Sequence, residues 1–175
     1  MSFSVLIIQG SESDSSTTRY IAETLGVLGV SYDVYIVSAH RTPDRLEEIV
    51  GTAAASGYKI VIACAGGSAH LPGMAASHTL LPVLGVAAQS STSARNEQAA
   101  LDSMTFMPAG VPLATMGVGK AGAVNAALMA VRLLAVTDPV LRAKLEAFVS
   151  KQTAEVPKTP TTFPEGAPTT FSGEV

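Results

Sequence analysis

Residues 3–9 read FSVLIIQ and run into Gly10. The run is short, rich in branched apolar side chains and free of polar alternation, as expected of a strand buried on both faces of a parallel sheet. The next segment reads as a helix, with Asp14 able to cap it, Tyr20, Ile21, Leu25 and Leu28 forming an apolar stripe, and Gly29 ending it. The same alternation then recurs. Residues 32–37 read as a second strand, and Thr42, Pro43 and Asp44 as a cap, first-turn proline and early acid of a helix with body 45–56. Residues 58–63 (YKIVIA) are expected as a third strand, 81–86 as a fourth and 113–116 as a fifth.

Strands separated by helices at this spacing demand right-handed crossovers and a parallel sheet covered on both sides. The expected fold is α/β: a three-layer α/β/α sandwich with a parallel sheet, close to the flavodoxin-like type. Residues 121–136 (AGAVNAALMAVRLLAV) form an alanine-rich helix expected to pack closely against another helix, the sheet or a neighbouring subunit, and 138–152 a final amphipathic helix. From about residue 156 the composition turns to Pro, Thr, Gly and Ser, which cannot build a core. The expected organisation is one domain over 1–155 with an arm or disordered tail over 156–175.

A chain of 175 residues closes one well-buried core and is short for two domains. Its 47% apolar and 14% charged residues suit an enzyme core with much of its surface covered, so self-association is expected. Eleven basic against fourteen acidic residues offer no broad positive field for a nucleic acid, leaving only a small, locally bound anion. Cys64 stands alone, which excludes an intrachain disulfide framework and fits a reducing compartment. No stretch reads as a signal peptide or membrane span, so a soluble cytoplasmic protein is expected.

In an open parallel sheet the ligand lies beyond the carboxyl ends of the strands. Three polar segments fall there: Gly10-Ser11-Glu12-Ser13-Asp14, Ser38-Ala39-His40-Arg41-Thr42-Pro43, and Ala65-Gly66-Gly67-Ser68-Ala69-His70-Leu71-Pro72-Gly73. Alone, the first is an ordinary helix cap. Together with Arg41, its two serine hydroxyls and its backbone N–H groups make a site for one phosphate, with Asp14 near ribose hydroxyls. His40, beside that arginine and facing the glycine loop, has the reach and chemistry for proton transfer. The glycines of the third segment let backbone N–H groups approach a carboxylate or carbon dioxide closely. His70 can cap, touch ligand or merely pack, and His78 reads as a helix-surface residue. No zinc set, dinucleotide loop, phosphate-loop lysine or nucleophile elbow is present in the sequence, so neither metal nor redox cofactor is expected.

These three motifs, followed in order by Leu81-Pro82-Val83-Leu84-Gly85-Val86, Met107-Pro108-x-Gly110-Val111-Pro112 and Asn125-Ala126-Ala127-Leu128, resemble the class I 5-(carboxyamino)imidazole ribonucleotide mutase family of purine biosynthesis over residues 5–152. The resemblance implies a homo-octamer with the C-terminal segment reaching over its neighbours. It also implies a cofactor-free isomerisation that moves a carboxylate from the exocyclic nitrogen to carbon 4 of the imidazole. By the same resemblance His40 is the general acid/base, Ser11, Ser38 and Arg41 contact the phosphate, and Ser13 and Asp14 lie near the ribose. Gly66, Gly67, Ser68, Ala69, His70 and Leu71 enclose the migrating group. The chain departs from the family's pattern at Ser15 (usually tryptophan), Cys64 (glycine), Ser68 (alanine), Ala87 (proline) and along 89–107, where Arg95 or Asn96 can supply new contacts. The alternatives are a carboxylase or decarboxylase of another aromatic ribonucleotide, and a non-catalytic nucleotide-binding paralogue.

Overall fold

The computed structural model describes residues 5–89 and 94–159. Strands β1 (Val5–Gln9), β2 (Tyr32–Ile36), β3 (Ile60–Ala65), β4 (Val83–Ala87) and β5 (Ala114–Val118) form one parallel sheet in the order β2-β1-β3-β4-β5. Helices α1 (Ser15–Leu28), α2 (Pro43–Gly51), α3 (His70–His78), α4 (Ala94–Thr105), α5 (Gly119–Ala135) and α6 (Pro139–Glu155) connect and cover it. This is the expected flavodoxin-like sandwich.

Side chains alternate across the central strands, so each strand feeds two cores. Val5 and Ile7, Ile60 and Ile62, and Leu84 and Val86 pack on one face with Ile21 and Leu25 of α1 and the alanines of α5. Leu6 and Ile8, Val61 and Ala63, and Val83 and Ala87 pack on the other with Leu46 and Val50 of α2, Leu71 and Ala75 of α3, and Met104 of α4. Full burial of one such aliphatic side chain contributes about 1.5–3 kcal/mol. The central strands therefore need no polar alternation, whereas β2 lies at the sheet edge and leaves Val34, Tyr35 and Ile36 partly exposed.

Several boundaries differ from expectation. The second helix stops at Gly51, and a series of turns through Gly57 (φ 98°) closes the segment expected to be helical up to residue 56. β3 begins at Ile60, where its pairing with Val5 of β1 starts, and Tyr58 just ahead of it donates its hydroxyl to Asp33 of β2. A helix not expected from the sequence, α4, occupies most of 89–107. The alanine-rich helix does pack closely: Gly122, Ala123, Ala126, Ala127 and Ala130 are buried on the sheet and α1. α6 is capped by Asp138, which accepts from Leu141 N at 2.9 Å, but it turns only Leu141, Leu145 and Phe148 inward and is less amphipathic than expected. It ends at Glu155; residues 160–175 of the expected tail lie outside the described residues. Among the described residues no helix is long and apolar enough to cross a membrane.

The chain runs from β1 outward to β2 and then back across to β3. The carboxyl ends of β1 and β3 thus diverge at a switch point, where a parallel sheet opens a crevice.

Candidate active site

β1 ends in a 3-10 turn, Glu12–Asp14, ahead of α1. Asp14 was expected to cap α1, but its carboxylate turns back, with Oδ2 accepting from Ser11 N at 2.9 Å and from Ser11 Oγ at 3.3 Å. The reason is local: the 3-10 turn places Asp14 three residues after Ser11, where a capping box closes on the turn itself. Burial pushes the Asp14 carboxyl above its ordinary value of 3.8, and hydrogen bonds from Ser11 and Gly10 oppose the shift. Ser11 N is thereby engaged, and Ser11 Oγ and Ser13 Oγ lie 2.7 Å apart.

After β2, Thr42 stands at the start of α2 without capping it. Its hydroxyl accepts from Ser38 N and donates to Ser38 O, both at 3.0 Å, and so fixes the loop across its base. Ser38 Oγ in turn accepts from Arg41 Nε at 3.1 Å and from Arg41 N at 3.3 Å. A hydroxyl that accepts twice has only its own proton left to offer. Ser38 is thereby set as an outward donor next to the Arg41 guanidinium, a combination suited to a phosphate oxygen.

After β3, Gly67 adopts a left-handed conformation (φ 61°) that a side chain disfavours, and His70 N donates to Ser68 O at 2.7 Å as α3 begins. Gly66 faces the first turn: a Cβ there would stand 3.7 Å from Asp14 Oδ1.

The three loops enclose a cavity of about 450 Å³, within the usual range for a small-molecule site. His40 and His70, from different strand ends, meet in it with Nε2 and Nδ1 2.8 Å apart and rings nearly perpendicular. Ser11, Ser13, Asp14, Ser38, Arg41, Gly66, Gly67, Ser68 and Leu71 also line it. Ala69 does not: it is buried at the start of α3, with its methyl group in the core. Among the described residues no group of three or more His, Cys, Asp or Glu side chains is placed to hold a metal ion.

Residues 4–155 match the sequence model of the AIR carboxylase family. The chain belongs to that family. It is 52% identical over 160 residues to the N5-carboxyaminoimidazole ribonucleotide mutase of Brucella melitensis, covering 91% of this chain and 98% of that protein. It is 47% identical over 163 residues to the protein of the same name from Escherichia coli K12, covering 93% and 94%. The crystal structure of Treponema denticola PurE superposes with a TM-score of 0.77 at 25% identity, over 86% of this chain and 92% of that one.

This member of the AIR carboxylase family also lines its cavity with groups the sequence did not single out: Ser16, Ala88 and Gln89. Asn96, suggested from the sequence together with Arg95, reaches the cavity from the first turn of α4, and Arg95 does not line it. Gln89 is held by its backbone N–H, which donates to Thr17 Oγ1 at 3.0 Å. The available signal was the buried Thr17 in the first turn of α1, a polar residue on the helix's inward face. His78, at the end of α3, stays outside the cavity.

Proposed function

We propose that this chain is a 5-(carboxyamino)imidazole ribonucleotide mutase, an isomerase of purine biosynthesis, and that His40 carries the proton. The names and identities of its relatives support the reaction. The observation that carries the site assignment is the meeting of His40 and His70 in the same cavity as the Ser38–Arg41 donor pair.

In this reading Arg41, Ser38, Ser11 and Ser13 hold the phosphate, and Asp14 borders the ribose. The bond between the exocyclic nitrogen and the carboxylate carbon breaks, its electrons stay on nitrogen, and His40 supplies the proton that nitrogen takes up. Carbon dioxide, held by the 66–71 loop, then bonds to carbon 4 of the electron-rich ring. His40 removes the proton from that carbon, so the proton count is restored and no cofactor enters. Recombination requires that carbon dioxide be kept within reach of the ring, the task this reading gives to the 66–71 loop.

Further parts of the reading are a homo-octamer, a cytoplasmic location, a single domain over 1–155 and a C-terminal arm or tail over 156–175. Support for assembly comes from an apolar groove in which Leu80 is fully exposed beside Leu81, Pro112, Leu113 and Met129. Light scattering on the eluting full chain tests the subunit number.

The functional test is incubation of the full chain with carboxyaminoimidazole ribonucleotide. Isomer formation without net carbon dioxide release is expected. Release alone supports a decarboxylase, and an inert protein removes the assignment.

A further inference from the structure

We infer that Gln9 is a positioning residue for the substrate's phosphate, acting through the serine turn that comes after it. Gln9 ends β1, is 3% exposed, and is the one polar side chain in a strand otherwise built of Val, Leu and Ile. An apolar residue of similar length would suit that core better, since a buried amide costs free energy unless it is hydrogen-bonded. The Gln9 amide is bonded, and its Nε2 serves the turn twice, donating to Ser11 O at 2.9 Å and to Ser15 Oγ at 2.6 Å. The Ser15 hydroxyl passes its own proton on toward Glu12 Oε1 at 3.3 Å.

The turn is therefore fastened from the sheet side at both ends, at Ser11 before it and Ser15 after it. None of these bonds uses the Ser11 or Ser13 hydroxyl. Those two lie 2.7 Å apart, with Ser11 Oγ also 3.3 Å from Asp14 Oδ2, and border the cavity, where they can turn to a ligand. Gln9 does not line the cavity, so its effect reaches the substrate only through the placing of these hydroxyls. Loosening the turn weakens ground state and transition state alike, which raises KM and leaves kcat in place.

The inference rests on the mutase reading of the cavity, and the test separates the two. Initial rates are measured for the full chain, Gln9→Met, Ser15→Ala and the double variant. The expected result is a KM raised about tenfold in Gln9→Met with kcat within about twofold, as for loss of an anchoring contact. Ser15→Ala, which leaves the buried strand intact should Gln9→Met misfold, raises KM in the same direction. The double variant is no worse than Gln9→Met, because both changes cut one chain of bonds. Unchanged KM in both single variants, or a fall in kcat without a rise in KM, overturns the inference. If the unsubstituted chain is inactive on this substrate, the mutase reading fails, and calorimetric titration with ribose 5-phosphate still tests Gln9. Weaker binding in the variants then supports the positioning role, and equal or absent binding overturns it.

Discussion

His40 Nε2 and His70 Nδ1 lie 2.8 Å apart, with ring planes at 88° to each other. At that separation one nitrogen must donate and the other accept, so each ring fixes the tautomer of the other. The two come from the carboxyl ends of different strands, and the contact therefore depends on the whole crossover arrangement at the switch point. Replacing His40 by Asn keeps a polar side chain of similar reach but removes the exchangeable ring proton. His40→Asn is expected to lower kcat by about 10³-fold, in the middle of the range for general acid–base catalysis. Substrate affinity by calorimetry should stay within about threefold, because the proposed phosphate donors are untouched. A variant with full turnover would take the proton-carrying role away from His40.

Arg41 reaches Ser38 Oγ through Nε as well as through its backbone N–H. Lysine has no Nε–H in that position and no planar fork, so Arg41→Lys keeps the charge and loses the geometry. KM is expected to rise about tenfold, the equivalent of one charge-assisted hydrogen bond, with a smaller change in kcat. A KM equal to that of the unsubstituted enzyme would mean that charge alone is sufficient there.

Asp14 makes a pH-dependent statement. Its carboxyl is raised by burial, so the folded chain holds that proton more tightly than the unfolded chain does. The stabilising contribution is full below the unfolded value of about 3.8 and is lost as pH rises through the raised native value. At neutral pH the ionised group is therefore a cost to folding. Asp14→Asn can still accept from Ser11 N through its amide oxygen. Its melting temperature at pH 7 is expected a few degrees above that of the unsubstituted chain, the difference shrinking in acid, with turnover reduced. A lower melting temperature at pH 7 would contradict this account.

Much of this was legible beforehand, for a physical reason. A strand such as VLIIQ, apolar at every position but the last, can only be central, and the glycine, serine and histidine residues placed at strand ends could lie only at the sheet's carboxyl edge. What stayed hidden depends on which donor meets which acceptor. Asp14 looked like a cap for α1 and instead closes the turn before it. Gln9 looked like a strand terminus and is the fastening of that turn. Ala69 sits among cavity-lining neighbours in sequence, yet the first turn of α3 rotates its methyl group into the core. The α4 segment carries few large apolar residues, and among its described side chains Ala100 and Met104 alone are fully buried, so its helical period was faint.

Cys64 lies at the carboxyl end of β3, close beneath Asp14. Its thiol is pushed up to about 12, first by burial and further by the Asp14 carboxylate, against a hydrogen bond with Thr18 that lowers it. The thiolate is the reactive form, so the native chain is expected to resist iodoacetamide at neutral pH and to be labelled fully once unfolded. Stoichiometric labelling of the native chain at the unfolded rate would show that β3 opens readily.

Two glycines separate folding from function. Gly122 in α5 lies against β5: a Cβ on it would come 2.5 Å from Gly117 C and 2.7 Å from Gly117 O, both backbone atoms that cannot turn aside. Gly122→Ala must push helix and strand apart, at an expected cost of about 2 kcal/mol or more in denaturant titration. Gly67 has open space around it and only its φ of 61° to defend. Gly67→Ala is expected to cost about 1 kcal/mol for the left-handed backbone. Its methyl group would nevertheless stand in the loop proposed to hold carbon dioxide, so kcat/KM should fall far more than its stability does. The reverse pattern, a stable Gly122→Ala and a fully active Gly67→Ala, would mean that neither the α5–β5 approach nor the 66–71 loop is as tightly constrained as the geometry requires.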